Sequence, residues 1–345
     1  MTKQKFANLY AAVQALLQKT KTAVVENNRK LIEISSARNT PWWQIALGVI
    51  ISLFFLYYPL GGLLVHNIDT SSSYQPKTLE NKLASVDMMS HLINREVHYK
   101  IWTPNLPFMF PSYFLDNMPN FQLGLMSAVG KTADALNKLS FTTASAVATD
   151  NLADAAGLLQ YPGNIWLFSP QNKLLPVPSA NTQYKKGRKK LNNFNNEIAA
   201  GKITLPRNAQ NLSLILQYIK KDISRLVVKT ENHIRENNDS FTDFKADDTF
   251  YFALGKIYAY SQIIKSLGYD FKDVLISHDV YQQWTAALRF LQEASDLKPA
   301  IVRNGNLNSS FAPNHLVTIN YLASRTVNRL NTIINKLNQP MDIKE

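Results

Sequence analysis

WWQIALGVIISLFFLYYPLGGLLV, residues 42–65, decides where this chain sits. From Asn39 to Ile68 there is no Lys, Arg, Asp or Glu. As a helix this stretch reaches roughly 36 Å, enough to cross a ~30 Å hydrocarbon layer with some tilt. Core helices of soluble proteins seldom run this long without a charge. Trp42 and Trp43 stand at one end, and Tyr57 and Tyr58 near the other. Such amphipathic rings prefer the headgroup level. Pro59, Gly61 and Gly62 are expected to loosen or end the helix on the Tyr side. No second run is both apolar and charge-free over a spanning length, so the pattern is single-pass.

Outward from this stretch, the N-terminal flank is amphipathic and basic. Phe6, Leu9, Val13, Leu16, Leu17 and Val24 recur at helical spacing. Lys3, Lys5, Lys19, Lys21, Arg29, Lys30 and Arg38 face only Glu26 and Glu33, seven charges against two. Basic flanks stay cytoplasmic, which puts the N-terminus inside and the remainder of the chain outside the cytoplasm. A cleaved signal peptide fits poorly, because its apolar run would be shorter and would follow a brief basic start.

The whole chain has 345 residues, 46% apolar and 18% charged, with a formal net charge of +12. That composition belongs to a folded protein. With no Cys, disulfides, thiolate zinc sites, Fe–S clusters and a Cys nucleophile are excluded.

Residues 66–76, HNIDTSSSYQP, read as a polar linker. Leu79, Leu83, Val86, Ser90, Ile93 and Val97 then mark one helix face. Pro104, Pro107, Pro111 and Pro119 break the pattern over 99–120, interleaved with Trp102, Phe108, Phe110, Tyr113 and Phe114. Those aromatics are expected to be buried, in the domain in preference to the bilayer surface. Further helices are expected at about 121–139, 143–160, 183–200, 208–236, 247–267, 279–296 and 313–337. In the last, Leu316, Ile319, Leu322, Val327, Leu330, Ile333, Ile334 and Leu337 form the apolar face. Alternating β-branched residues are scarce. The fold class is therefore all-α: one N-terminal transmembrane helix, then a large helical domain over 77–345, with a possible subdivision near 169–182.

Catalytic and metal patterns fail one by one. GLMSAVGKT, residues 124–132, places five residues between its glycines where a phosphate-binding loop needs four, and no strand precedes it. His233 with Glu236, and His91 with Glu96 and His98, fall short of the converging ligands of a zinc site. Asp239, Asp243, Asp247 and Asp248 lack the spacing of a calcium loop and suit the start of a helix. No G-x-S-x-G elbow or S-x-x-K nucleophile occurs. The expectation is no catalytic residue, no metal and no cofactor.

Two groups of residues remain as candidate contacts. Asp116, Asn117, Asn120, Phe121, Gln122, Trp166, Asn208 and Asn211 are polar or aromatic residues outside the helical pattern, able to hydrogen-bond and stack on a ligand. The same residue types also cap helices and fix loops. Lys185, Lys186, Arg188, Lys189 and Lys190 form the densest basic cluster, suited to anionic lipid or an acidic envelope polymer, or to a solvated helix face. No stacking aromatics alternate with them, which argues against nucleic acid.

Four strings carry a resemblance: YYPLGGLLVHNID at 57–69, LDNMPNFQLG at 115–124, TDNLADAAGLLQYPGNIW at 149–166 and LNNFNNEIAAGKITLPRNAQNL at 191–212. In order and separation they resemble a family of bacterial inner-membrane proteins found mainly in gammaproteobacteria, domain of unknown function family 2333. Where that pattern is rich in Arg and Gly before TDNLADAAG, this chain reads LSFTTASAVA. The resemblance implies an inner-membrane anchor and a helical domain, and no catalytic residues.

Three functions are consistent with this reading. The leading one is a membrane-anchored binding or scaffolding protein of the cell envelope, with the bilayer and envelope proteins as partners. The second is a periplasmic enzyme that brings acidic residues together on cell-wall or lipid substrates. The third is a sensory or assembly factor using the N-terminal segment.

Overall fold

The computed structural model describes residues 15, 18–30, 41–71, 73–76, 82–142, 150–168, 175–237, 243, 245–299, 301–304 and 314–339, with side chains to 139 in the segment that ends at 142. The chain divides into two compact units, Met1–Gly61 and Gly62–Glu345.

In the first unit, residues 18–30 form helix α1, with Val24 exposed. The apolar positions at 6, 9, 13, 16 and 17 lie outside the described residues. Helix α2 spans Trp42–Val65, the whole of the charge-free core, and its last residues belong to the second unit. Pro59 does not end it, because a single missing donor interrupts one bond and leaves the neighbouring turns intact. Apart from Gly62 none of its residues is buried, and Ser52 satisfies its hydroxyl on the Gly48 carbonyl at 2.8 Å. An apolar exterior with internally satisfied polar groups is what a lipid-facing helix requires.

The second unit is helical, with no strand among the described residues. Its helices are α3 (Ala84–Asn94), α4 (Asn117–Thr142), α5 (Asp150–Leu159), α6 (Ala180–Ala199), α7 (Ala209–Glu236), α8 (Ala246–Asp270), α9 (Lys272–Ser277), α10 (Tyr281–Ser295) and α11 (His315–Leu337). A π-turn, Arg95–Tyr99, extends α3, and a 3₁₀ turn covers Pro111–Phe114. Helix α4 starts earlier than the prolines suggested. Pro119 falls in its first turn, where the backbone N–H has no helical partner to lose.

Helices α4 and α8 form the centre. Asn120 bonds Asp248, Gly124 abuts Phe252, and Phe121 abuts Gly255. Asp116 meets Asp247 and Asp248, and the pairs Asn120–Asp248 and Gly124–Phe252 advance together, so the two helices run in the same sense with their N-termini together. Gly124 and Gly130, the glycines of the rejected phosphate loop, serve packing, since a Cβ on either would meet the backbone of Phe252 or Leu159. Around this pair, α7 packs on α4 and α11, α10 packs on α8 and α11, and α5 packs on α4 and α6. The face read for α11 is the one that packs: Leu316, Ile319, Leu322, Leu330, Ile333, Ile334 and Leu337 are buried, and Val327 partly so.

Helix α3 lies on α6 and α8 and carries no cap of its own. Distant side chains supply it. Asp270, at the end of α8, accepts from the backbone of Ala84 at 2.6 Å and of Ser85 at 3.0 Å. The buried amide of Asn195 accepts from the Leu83 N–H and donates to its carbonyl. Val177 N bonds the Leu167 carbonyl and Ala180 N the Ile165 carbonyl, so residues 177–180 lie beside 165–167.

The aromatic stretch behaves differently from expectation. Trp102 is buried, but Phe108, Met109, Phe110, Tyr113 and Phe114 are exposed. Local proline turns hold these side chains outward, and the α-helical core closes without them.

Candidate functional site

The N-terminal end of α4 and α8 gathers most of the polar chemistry. Asp116 precedes α4 and accepts from the Asn117 N–H at 2.8 Å, while its carbonyl takes the Asn120 N–H at 3.1 Å. Asp247 and Asp248 lie in the first turn of α8. Because the helices are parallel, one carboxylate oxygen from each of Asp116, Asp247 and Asp248 lies within 4.8 Å of the others. Asn120 bridges the helices, donating to Asp248 at 2.6 Å. Burial raises the pKa of Asp247 and of Asp248. Asp116 adds to the shift of Asp247, and Asp247 and then Asp116 add to that of Asp248. Such a group can hold a proton at a pH where ordinary carboxylates are ionised. Two helix N-termini also account for it, since each favours nearby negative charge.

A buried ionic knot is joined to α4 through Gln122, which donates to Glu96 at 3.3 Å. Glu96, fully buried in the π-turn, accepts from Arg95 at 2.7 Å and from Lys100 at 3.2 Å. Burial alone would weaken the hold of Arg95 on its proton, but Glu96, Tyr258 and Asp69 together outweigh it and the guanidinium pKa is raised. Burial lowers the Lys100 pKa, against the pull of Glu96. Arg95 also donates to the Tyr258 hydroxyl at 2.6 Å, and that hydroxyl donates to the Ser71 carbonyl at 2.8 Å. Lys100 reaches the Asn67 carbonyl at 2.8 Å. The knot therefore ties the linker after α2 to α8. The Tyr74 ring stacks on His91 at 3.6 Å, and its hydroxyl donates to Asp87 at 2.9 Å. Burial first, then Asp87, pushes the Tyr74 pKa up to about 12.

The residues singled out from sequence separate into two kinds. Asp116, Asn117 and Asn120 stand together at the acidic group. Phe121 and Gln122 are buried. Gln122 accepts from the Thr103 N–H at 2.9 Å and hydroxyl at 2.8 Å and donates to the Ile101 carbonyl at 3.0 Å, which pins the proline strap to α4. Asn208 caps α7 by accepting from Asn211 N at 2.9 Å, and buried Asn211 donates to the Pro206 carbonyl at 2.7 Å. Neither bond brings this pair to the Asp116 group. Trp166 is exposed on a separate turn. Lys185, Lys186 and Lys189 are exposed on α6, Arg188 is half-buried, and Lys190 pairs with Asp154 at 2.7 Å.

His91 and Glu96 do not converge on a metal arrangement, since His91 stacks and Glu96 holds two cations. His233 pairs with Asp243 at 2.8 Å, and Asn304 donates to the same carboxylate at 2.8 Å. Asp239 lies outside the described residues. Sequence reading missed Arg95, Lys100 and Tyr258. The nearness of Arg95, Glu96 and Lys100 along the chain was the available signal, while Tyr258 offered none.

The clefts lie elsewhere. One of about 660 Å³ is lined by the α7 residues Lys221, Arg225, Lys229 and neighbours along that helix alone, and one of about 560 Å³ by α10 with Arg329. A smaller one of about 120 Å³ lies between His66, Ile68 and Thr70 of the linker and Tyr251 and Leu254 of α8. A depression lined by one helix is a surface groove and encloses no substrate.

No curated protein and no solved structure matches the chain. A family profile described as an uncharacterised protein conserved in bacteria, DUF2333, matches residues 86–230 and 211–339. These residues take in the π-turn, the proline strap, the acidic group and the helical core. They amount to more than half of the 345 residues, and the chain belongs to the DUF2333 family of uncharacterised bacterial proteins.

Proposed function

We propose that this protein is a membrane-anchored binding or scaffolding protein of the bacterial cell envelope. In this reading α2 crosses the inner membrane, the N-terminus is cytoplasmic, and the helical domain lies on the periplasmic side. The observation that carries it is a 24-residue charge-free helix with no buried residue except Gly62, joined to a helical unit with a continuous core. The two larger clefts, on α7 and on α10 with Arg329, are grooves between surface side chains, suited to another protein or an anionic polymer more than to an enclosed small substrate. The enzyme reading has less support. Asp116, Asp247 and Asp248 do meet, but the clefts described above are lined by other residues.

The absence of Cys makes the test clean. Lys19→Cys and Lys272→Cys variants are expressed separately in cells and treated with a membrane-impermeant maleimide. Labelling of position 272 but not 19 once the outer membrane is permeabilised supports the proposed orientation. The reverse pattern overturns it, and release of the protein by alkaline carbonate overturns the anchor. Photo-crosslinking from α7 and α10 then tests the scaffold role. A reproducible set of envelope proteins is expected, and turnover of peptidoglycan or phospholipid without any captured partner would favour an enzyme.

A further inference from the structure

Exposed apolar side chains concentrate on two turns of the helical unit. One is the proline turn, where Phe108 and Phe114 are each 66% exposed and Met109 lies between them. The other carries Trp166, Leu167 and Phe168, all exposed. The two turns are tied together: Asn105 donates to the Ile165 carbonyl at 2.8 Å, and Trp102 donates to the Gly163 carbonyl at 2.9 Å. The proline turn has its own backbone bonds, from Tyr113 N to the Phe110 carbonyl and from Leu115 N to the Ser112 carbonyl, each 3.0 Å. Gln122 pins its base to α4. This surface is held in place, and a large apolar patch held toward water marks an interaction site.

Gly62 identifies the partner. It lies against this turn, and a Cβ there would stand 3.6 Å from Leu115 Cδ2 and 3.9 Å from the Pro111 carbonyl oxygen. Gly62 begins the last turn of the apolar helix. The chain thus leaves its charge-free stretch beside the exposed aromatics. Lys185, Lys186 and Lys189 are exposed on α6, whose first residue, Ala180, donates to the Ile165 carbonyl at 2.9 Å. Aromatic and apolar side chains with basic residues nearby suit the headgroup zone of an anionic bilayer.

We infer that the Pro107–Phe114 turn, with Trp166–Phe168 beside it, is a second, interfacial membrane contact that seats the helical domain on the bilayer crossed by α2. The inference rests on α2 being a span. It makes the domain a surface-bound body with a fixed face toward lipid, leaving the α7 and α10 grooves for partners.

Four single-cysteine variants of the full-length protein test it: Leu56→Cys, Met109→Cys, Phe114→Cys and Ile276→Cys. Each carries an environment-sensitive fluorophore and is reconstituted in phosphatidylethanolamine–phosphatidylglycerol vesicles. Ile276 is the matched control. It is also apolar and 59% exposed, but it follows the far end of α8, roughly 37 Å along that helix from the acidic group. Lipid-attached spin quenchers are expected to dim the labels at 109 and 114 several-fold more than the label at 276, with protection from iodide. Quenching of 56 alone, with 109 and 114 behaving like 276, overturns the surface contact and keeps the anchor. No lipid quenching at 56 overturns both. Labels at 109 and 114 protected from iodide but untouched by lipid quenchers would overturn it in favour of a protein partner.

Discussion

Gly124 of α4 and Gly255 of α8 mark one close crossing, each lying where the other helix's backbone leaves no room for a side chain. A Cβ on Gly124 would overlap the Phe252 carbonyl, and one on Gly255 the Phe121 carbonyl. Backbone atoms inside two long helices cannot turn aside as a flexible side chain can. Gly124→Ala and Gly255→Ala are each expected to destabilise the fold by roughly 3 kcal/mol, the upper range for overpacking. Gly157→Ala, with open space around it, is expected to be neutral or slightly stabilising. Thermal melts of the detergent-solubilised protein check this, and equal melting temperatures for all three variants would refute the account.

The Lys256–Asp222 pair is buried, at 2.7 Å, and the Tyr260 hydroxyl donates to the same carboxylate at 2.7 Å. Removing one charge leaves the other without compensation, at a cost of about 3–5 kcal/mol. Lys256→Met alone should therefore be strongly destabilising. Adding Asp222→Asn should recover most of the loss, because the amide oxygen still accepts from Tyr260. Urea denaturation of the two variants measures the difference. A double variant no better than the single one would mean that Lys256 acts by packing.

The carboxylates at the start of α8 set a pH dependence. Asp247 and Asp248 have raised pKa values, chiefly through burial. The folded state then binds protons more readily than the unfolded chain. Their contribution is most favourable at low pH and is lost as pH rises through the raised values. Asp247→Asn should remove part of this slope and raise stability near neutrality by about 0.5 kcal/mol, a modest figure because water screens the site. If the group only serves helix starts, millimolar Ca²⁺ or Mn²⁺ should leave the melting temperature unchanged. A cation-dependent rise that Asp248→Asn abolishes would mark a metal site.

His91 offers a second titration. Burial lowers its pKa, and Arg95 adds to the effect against Asp87. The neutral ring is favoured in the fold, so stability present above the ordinary histidine range is lost as pH falls through the lowered value. Tyr74→Ala removes the stacked ring and lets water in. The His91 pKa, followed by NMR, is expected to move back up, and an unchanged value would show that Tyr74 does not shield it.

Much of this architecture can be read from the chain itself. The α2 bounds follow from the charge-free run, and the buried face of α11 from its spacing, because both signals are local. Gln122 shows where local reading stops. An amide near an aromatic suggests a binding group, but its partners at Ile101 and Thr103 become visible only when the strap folds onto α4. Asp116 and Asp247 are far apart in sequence, and only the parallel pairing of α4 and α8 joins them. The aromatics of 108–114 were expected inside. Periodicity says which residues are apolar but not what solvent they meet, and proline turns carry no periodicity that would show a face.

Asp270 also bears on the order of assembly. It supplies the cap of a helix 186 residues earlier. At ribosomal rates of about 5–20 residues per second, α3 waits roughly 10–40 seconds for that carboxylate to be made. Through that interval the first helix after the apolar segment has α6 and Asn195 to pack against, but lacks the carboxylate for its first N–H groups and the face that α8 covers. The start of the unit is therefore completed only when the end of α8 arrives.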